Sequence, residues 1–497
     1  MALLSRGVLS GASGKNRATI ASFLGITTKP FLVVGVIVAW LPLPVAAEPW
    51  TTYRGNPQRT GCTDGVAVPD SPRVVWVHKA QEHFLASPVP VAQRLYVAGL
   101  GGFNVPSLLC LNVESNAPQR VAWVKTAPYL KLPTVSSPAV SAGRLFFGDG
   151  MHQTDGAIFH CLRADTGLPV WQLPAPGKLV HLEGAPTVAD GRAIIGGGSA
   201  GVLCVEAGRV QLDGRDYDLE AVQKVLDQKW RELQAKYEAD KKKDPDFAIP
   251  PNEDQLPKPT PRRLWQQGQG KWHVDAPVAV VGSRVLVASS FLDKEQLGDR
   301  ALYCLDAASG TVQWRTPLKL NPWGGPSLLG EVVVVAGSSI GYDPKALNGA
   351  RGDIAAYELA TGKERWRKEV PGGIVGGAAL AAGLAVVTAT DGKVRAFDLA
   401  TGERRWLYDA KAPLFAPPAV AGDTVIVGDL KGVVHALTLS DGQARWTLNL
   451  GADPAVRAPG MIFAGPVASN GKLFVVTCNH EGPYAGKPTV VVCLGTR

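Results

Sequence analysis

The sequence predicts an all-β chain: an eight-bladed β-propeller of four-stranded antiparallel blades, its N-terminal strand completing the last blade and one helix inserted. Three observations predict it. A line written as "IAAYELATGKERW" and again as "VRAFDLATGERRW" recurs along the chain and ends in Trp. A second ladder, a small residue followed by Pro, opens a strand once per repeat. The chain also carries 56 Gly and 38 Pro but only 19% charged residues, which suits short strands and tight turns.

Residues 1–47 read as an export signal. Arg6, Lys15, Arg17 and Lys29 form a basic region without an acid, "FLVVGVIVAWL" (31–41) is an apolar core, and "VAA" (45–47) offers a small-residue cleavage site. The apolar run stops at Pro42, short of the roughly 20 residues that span a bilayer. The mature chain is therefore expected to begin at Glu48, without a membrane span, as a monomer in the periplasm or secreted. No Cys follows the cleavage site to carry a lipid. Removing the four leader cations from 51 Lys and Arg leaves 47 against 43 Asp and Glu, a net charge of +4, and nucleic acid is not an expected partner.

From residue 48 to 497 the chain reads as one propeller. In each line a strand such as "VRAFDL" runs into a turn at "ATG", where the Asp bonds the turn backbone and Gly supplies positive φ, and returns as a short strand ending in Trp. The series is Trp76, Trp123, Trp171, Trp265, Trp314, Trp366, Trp406 and Trp446, with gaps of 47, 48, 94, 49, 52, 40 and 40. The double gap holds an insertion. Strand openings follow Pro88, Pro138, Pro186, Pro277, Pro326, Pro418 and Pro466, with Ala378 standing in once, so eight openings match eight Trp. Four-stranded units at 40 to 50 residues are the signature of propeller blades. After Trp446 the last unit has three strands and no Trp strand, while the Trp76 strand at the other end has no unit. The two are expected to complete one another and close the ring.

The insertion, 211–262 in the third blade, replaces the turn. Leu219, Val222, Leu226, Trp230, Leu233 and Tyr237 recur at helical spacing behind Asp218, an N-cap residue, and a Pro-rich linker returns the chain to Trp265. The helix (218–240) is expected either to pack on its own propeller or to serve as a docking arm whose apolar stripe meets a partner. It is expected to be dispensable for the ring.

The "LDAxTGxxxW" line, fullest at 304–314, 357–366 and 397–406, resembles the tryptophan-docking repeat of pyrroloquinoline-quinone (PQQ) propellers, and "WTTYRGNPQRTG" (50–61) is similar to the opening segment of that superfamily. The resemblance covers essentially all of the mature chain. It implies that each Trp of the series docks one blade on the next. It leaves activity open, because the superfamily includes quinoprotein dehydrogenases and non-enzymatic scaffolds such as BamB.

A dehydrogenase of that superfamily is expected to show vicinal cysteines, a Trp beneath the quinone and acidic calcium ligands at the channel mouth. Here Cys110, Cys161, Cys204, Cys304 and Cys493 fall at one register of the repeat, where other blades carry Ala356, Ala396 and Ala436, and so read as small buried residues. Cys62 and Cys478 are the one irregular pair. Residues two before each ladder Pro are expected to ring the channel: Ala86, Ser136, Gly184, Asp275, Gly324, Gly376, Ala416 and Ala464. Asp275 with His273, His181 and Trp323 is the most polar arc and the candidate ligand site; no metal ligand is assigned. Long loops at 151–156, 291–300, 340–353 and 479–488 are expected on the same face. The function expected is that of a non-enzymatic exported scaffold or binding module, BamB-like, with no cofactor and with another envelope or secreted protein as partner. The alternative is a PQQ- and calcium-dependent dehydrogenase of alcohols or sugars.

Overall fold

The computed structural model describes residues 50–62, 66–152, 154–177 and 180–496; the stretch 1–47, read from the sequence as an export signal, lies outside them. Eight antiparallel sheets follow one another around an axis. We number the blades by the residues they span: 1 (89–125), 2 (139–174), 3 (187–267), 4 (279–317), 5 (326–371), 6 (379–409), 7 (419–449) and 8 (467–495). Blade 8 takes its outermost strand from Arg73–Ala80, which pairs with Thr489–Gly495 and sets Trp76 opposite Cys493. The ring is closed by the two ends of the chain, and no strand edge is left between blades 8 and 1.

The repeat places the same pair of residues at the centre of every outer hairpin. Cys110, Cys161, Cys204 and Cys304 face Trp123, Trp171, Trp265 and Trp314, while Ala356, Ala396 and Ala436 face Trp366, Trp406 and Trp446. A small residue across the ladder makes room for the indole. The five register cysteines are buried, and burial pushes their thiols up, that of Cys204 to about 12 and that of Cys304 to about 11. The backbone of Cys478 bridges to Met461 and that of Cys62 to Val420, and no disulfide joins the irregular pair.

The opening segment does more than precede the ring. Its backbone carbonyls at Thr51, Pro57, Gln58, Thr60 and Gly61 accept N–H groups from Val140, Val280, Leu328, Leu380 and Val420, one on the innermost strand of each of blades 2, 4, 5, 6 and 7. Arg59, 1% exposed, clasps the carbonyls of Val278, Ala185, Pro186 and Tyr53 and the hydroxyls of Thr52 and Thr187. Residues 50–62 therefore stitch the blades together at the axis as a plug.

The insertion departs from expectation. The third strand of blade 3 overruns to Val202–Leu212, turns at Asp213 and Gly214 into Arg215–Asp218, and only then starts the helix Leu219–Lys243. Asp218 caps it, accepting the Ala221 N–H at 2.7 Å. Val222 (0% exposed) and Leu226 (2%) are buried, and Leu219 packs against the core cluster of blade 2, which includes Trp171. These three cannot serve a partner, because the propeller already holds them; Trp230, Leu233 and Tyr237 stay half-exposed. The returning linker lies on the outer edge of blade 2, where Pro259 accepts the Gln172 N–H, and reaches Lys125 of blade 1 through Glu253 at 2.6 Å.

Candidate functional site

On the face where strands enter each blade, a funnel encloses a cavity of about 710 Å³. Tyr53 of the plug lines it, together with Met151, His152, Leu292, Tyr342, Asp343, His480 and Glu481 from the four long loops. Of the expected ring, Ala86, Asp275 and Ala464 line the cavity. Gly324 and Gly376 serve close packing instead: a Cβ on Gly324 would lie 2.2 Å from the Gly377 nitrogen.

Three successive connections build the polar wall. His181 and Glu183 lead into blade 3, His273 and Asp275 into blade 4, and Trp323 into blade 5. Their backbones are pinned. Leu182 donates to the Asp149 carbonyl, Val274 exchanges two hydrogen bonds with Gly198, and the His273 carbonyl accepts the Ser290 N–H. Gly198 is required here, since its φ is +53° and a Cβ would come 3.0 Å from His181 Nε2.

Asp275 is held between two imidazoles. Its Oδ1 lies 2.7 Å from His181 Nε2 and its Oδ2 2.7 Å from His273 Nε2, and both rings are almost completely buried. Burial disfavours charge on His181, but the adjoining Asp275 carboxylate outweighs it and raises the imidazole to about 9. Burial likewise opposes charge on Asp275, yet the two imidazoles hold its carboxyl well below the usual range. Glu183 goes the other way, raised to about 7 by burial and by the Asp275 charge.

The sequence reading did not include His152, Glu183 or Glu295. His152 sits in the 151–156 loop, its ring edge-on to His181 and His273 at centroid distances of 5.4 and 6.1 Å. Glu183 accepts the His152 backbone N–H at 2.7 Å, and Glu295 faces its Nε2 at 3.3 Å. The length of that loop is the one signal in the sequence that points to His152. Trp323 lines the same cavity, and its indole nitrogen is buried without a hydrogen-bond partner.

The sequence profile described as outer membrane protein assembly factor BamB matches residues 63–233, 255–351 and 346–494. The chain belongs to this BamB family of PQQ-like propellers. No curated protein matches its sequence. Among solved structures, BamB from Moraxella catarrhalis superposes with a TM-score of 0.56 at 15% identity, over 86% of this chain and 98% of that one. The quinohemoprotein alcohol dehydrogenase ADHIIG from Pseudomonas putida HK5 gives 0.59 at 12%, over 90% and 80%. A europium-containing methanol dehydrogenase gives 0.57 at 14%, over 90% and 98%. At these identities the likeness is one of fold, and this BamB-family chain is similar in fold to scaffolds and to dehydrogenases alike. No helix among the described residues is long and apolar enough to cross a membrane.

Proposed function

We propose that this chain is an exported, non-enzymatic binding propeller, acting in the periplasm or outside the cell on another exported protein. The charge of its cavity carries the reading. Glu183, Asp275, Asp343 and Glu481 line the funnel, and among the described residues no Lys or Arg does. A tricarboxylate quinone needs cations at its acid groups and a metal held by several free oxygens. The plug cations do not supply them: Arg54 donates to the carbonyls of Arg59 and Gly377, and Arg59 is enclosed by its own acceptors. Asp275, the carboxylate of the polar arc, has both oxygens against imidazoles. The lining does not fit the quinone and its calcium.

A partner meets the outer half of the arm in this reading, through Trp230, Leu233 and Tyr237, followed by Phe247 and Ile249, which are 81% and 84% exposed. The deciding experiment is a titration of the mature protein with pyrroloquinoline quinone and calcium, read by absorbance and by a dye-linked dehydrogenase assay with alcohols and sugars. No uptake and no turnover are expected. Stoichiometric uptake with turnover would establish the dehydrogenase instead.

A further inference from the structure

We infer that His152, His181 and His273 form a binding site for a divalent transition metal of the Zn²⁺ class, a site independent of the partner-binding reading above.

Ring nitrogens offered by the three residues lie within 4.8 Å of one another. The rings are set at steep angles to one another, 62° between His181 and His273, 65° between His152 and His181, and 82° between His152 and His273. Rings packed only for apolar contact need no common point; three nitrogens gathered in one small volume do. Ligand nitrogens on zinc, with bonds of about 2.0–2.1 Å, stand roughly 3.3 Å apart, so the cluster must draw in slightly. His152 can supply that movement, because it is exposed and sits on a loop, whereas His181 and His273 are fixed by their backbone bonds.

The surroundings have the form that metal-binding histidines need. Such rings give their second nitrogen to a carboxylate, which fixes the tautomer and strengthens the ligand. Asp275 does this for His181, whose Nε2 is hydrogen-bonded to its Oδ1 at 2.7 Å; the His273 Nε2 lies 2.7 Å from Oδ2 as a charge contact without hydrogen-bond alignment, and Glu295 faces the third ring at 3.3 Å. A second observation is independent of the cluster's spacing. The Nδ1 of His181 and both ring nitrogens of His273 are buried and have no hydrogen-bond partner, a costly state for an imidazole unless something fills the space. A cation relieves it. Imidazole ligands select zinc, copper, nickel or cobalt over calcium, which takes oxygens. Three protein ligands also leave a coordination position for water or a ligand, and His152 places the site at the cavity wall.

The test uses mature protein stripped with chelator. Zn²⁺ is titrated against a chromophoric competitor, with Ca²⁺ in excess to occupy surface carboxylates, and Co²⁺ is added in parallel to read the visible spectrum of its coordination shell. One equivalent of Zn²⁺ and a Co²⁺ spectrum of low coordination number are expected. His152→Ala, on an exposed loop, should keep the wild-type melting curve and lose at least tenfold in affinity. Asp275→Asn should lose about 10- to 100-fold. His181→Ala should abolish the Co²⁺ spectrum. Failure of the wild type to take up one equivalent would overturn the site, as would a folded His152→Ala protein that binds Zn²⁺ as tightly as the wild type.

Discussion

Trp406 donates its indole N–H to the carbonyl oxygen of Leu439 at 2.8 Å, across the boundary between blades 6 and 7. The same bond joins Trp76 to Val113, Trp123 to Ala164, Trp265 to Ala307, Trp314 to Leu359 and Trp366 to Leu399, and Trp446 to Pro69 where the ring closes. Trp171 is the exception: fully buried, with an unpartnered indole nitrogen, it faces the blade whose turn has been replaced by the insertion. Trp406→Phe orphans the Leu439 carbonyl and Trp171→Phe orphans nothing. The first should cost about 1–3 kcal/mol more than the second, measured by urea unfolding.

The turn glycines of the repeat are held by packing as well as by φ. Gly402 has φ +71° and a Cβ there would lie 2.5 Å from the Trp366 ring; Gly383 of the same blade has φ +75° with open space around it. Gly383→Ala should cost about 1–2 kcal/mol for left-handed backbone. Gly402→Ala should cost a further ~1–3 kcal/mol for the steric clash. Equal losses for the two variants would show that the indole moves aside freely.

Excising 213–259 for a two-residue turn should destabilise the protein by at least about 3 kcal/mol. Val222 and Leu226 each forfeit burial worth about 1.5–3 kcal/mol, and the Trp171 cluster loses its cover. The arm is part of the core at its base. Trp230→Ser, in the outer half, should change stability by under about 1 kcal/mol. Unfolding midpoints of the two variants measure both effects.

Arg59→Lys should be among the most damaging conservative changes in the chain. The guanidinium serves six oxygen acceptors, and an ammonium with three protons leaves several of them unmatched. Each stranded buried acceptor costs about 1–3 kcal/mol, so a loss of 3 kcal/mol or more is expected by chemical denaturation. A wild-type midpoint would mean that the plug is not a structural element.

Cleavage of the leader after Ala47 is expected in the exported protein. N-terminal sequencing of material recovered outside the cytoplasm checks it, and residues upstream of Ala47 still attached would refute it.

Blade count, ring closure and the docking Trp could be read from the sequence because each is written many times at near-constant spacing, and Trp446 without a following Trp strand pointed to Trp76. The His–Asp arc was legible in part for a similar reason: His181, His273 and Asp275 occupy matching connections of neighbouring blades. His152 was not, since it comes from a different kind of loop and joins the others only once blades 2, 3 and 4 are side by side. The plug was invisible as a plug. Its fit depends on backbone carbonyls, which no residue type advertises, and Arg54 and Arg59 look like surface cations until the acceptors around them are known. The arm's periodicity gave its helix and its cap, but the overrun of the Val202–Leu212 strand, which carries the helix base onto Trp171, has no signature separable from an ordinary strand.

Ring closure also sets a timetable. The Thr489 hydroxyl bonds the Ala80 carbonyl, a partner 409 residues earlier, and the Trp446 indole likewise reaches back 377 residues to the Pro69 carbonyl. Synthesis delivers the plug and the Arg73–Ala80 strand first, then the plug's partners blade by blade, and the strand's own partner last. Throughout that interval the Arg73–Ala80 strand stays unpaired, while the blade last completed bares the apolar face on which its neighbour will pack. The propeller therefore has no folded intermediate length. Interrupting the chain anywhere before its final strand leaves an open arc, prone to pair with another copy, and the cell must keep the early segment apart until the last thirty residues arrive.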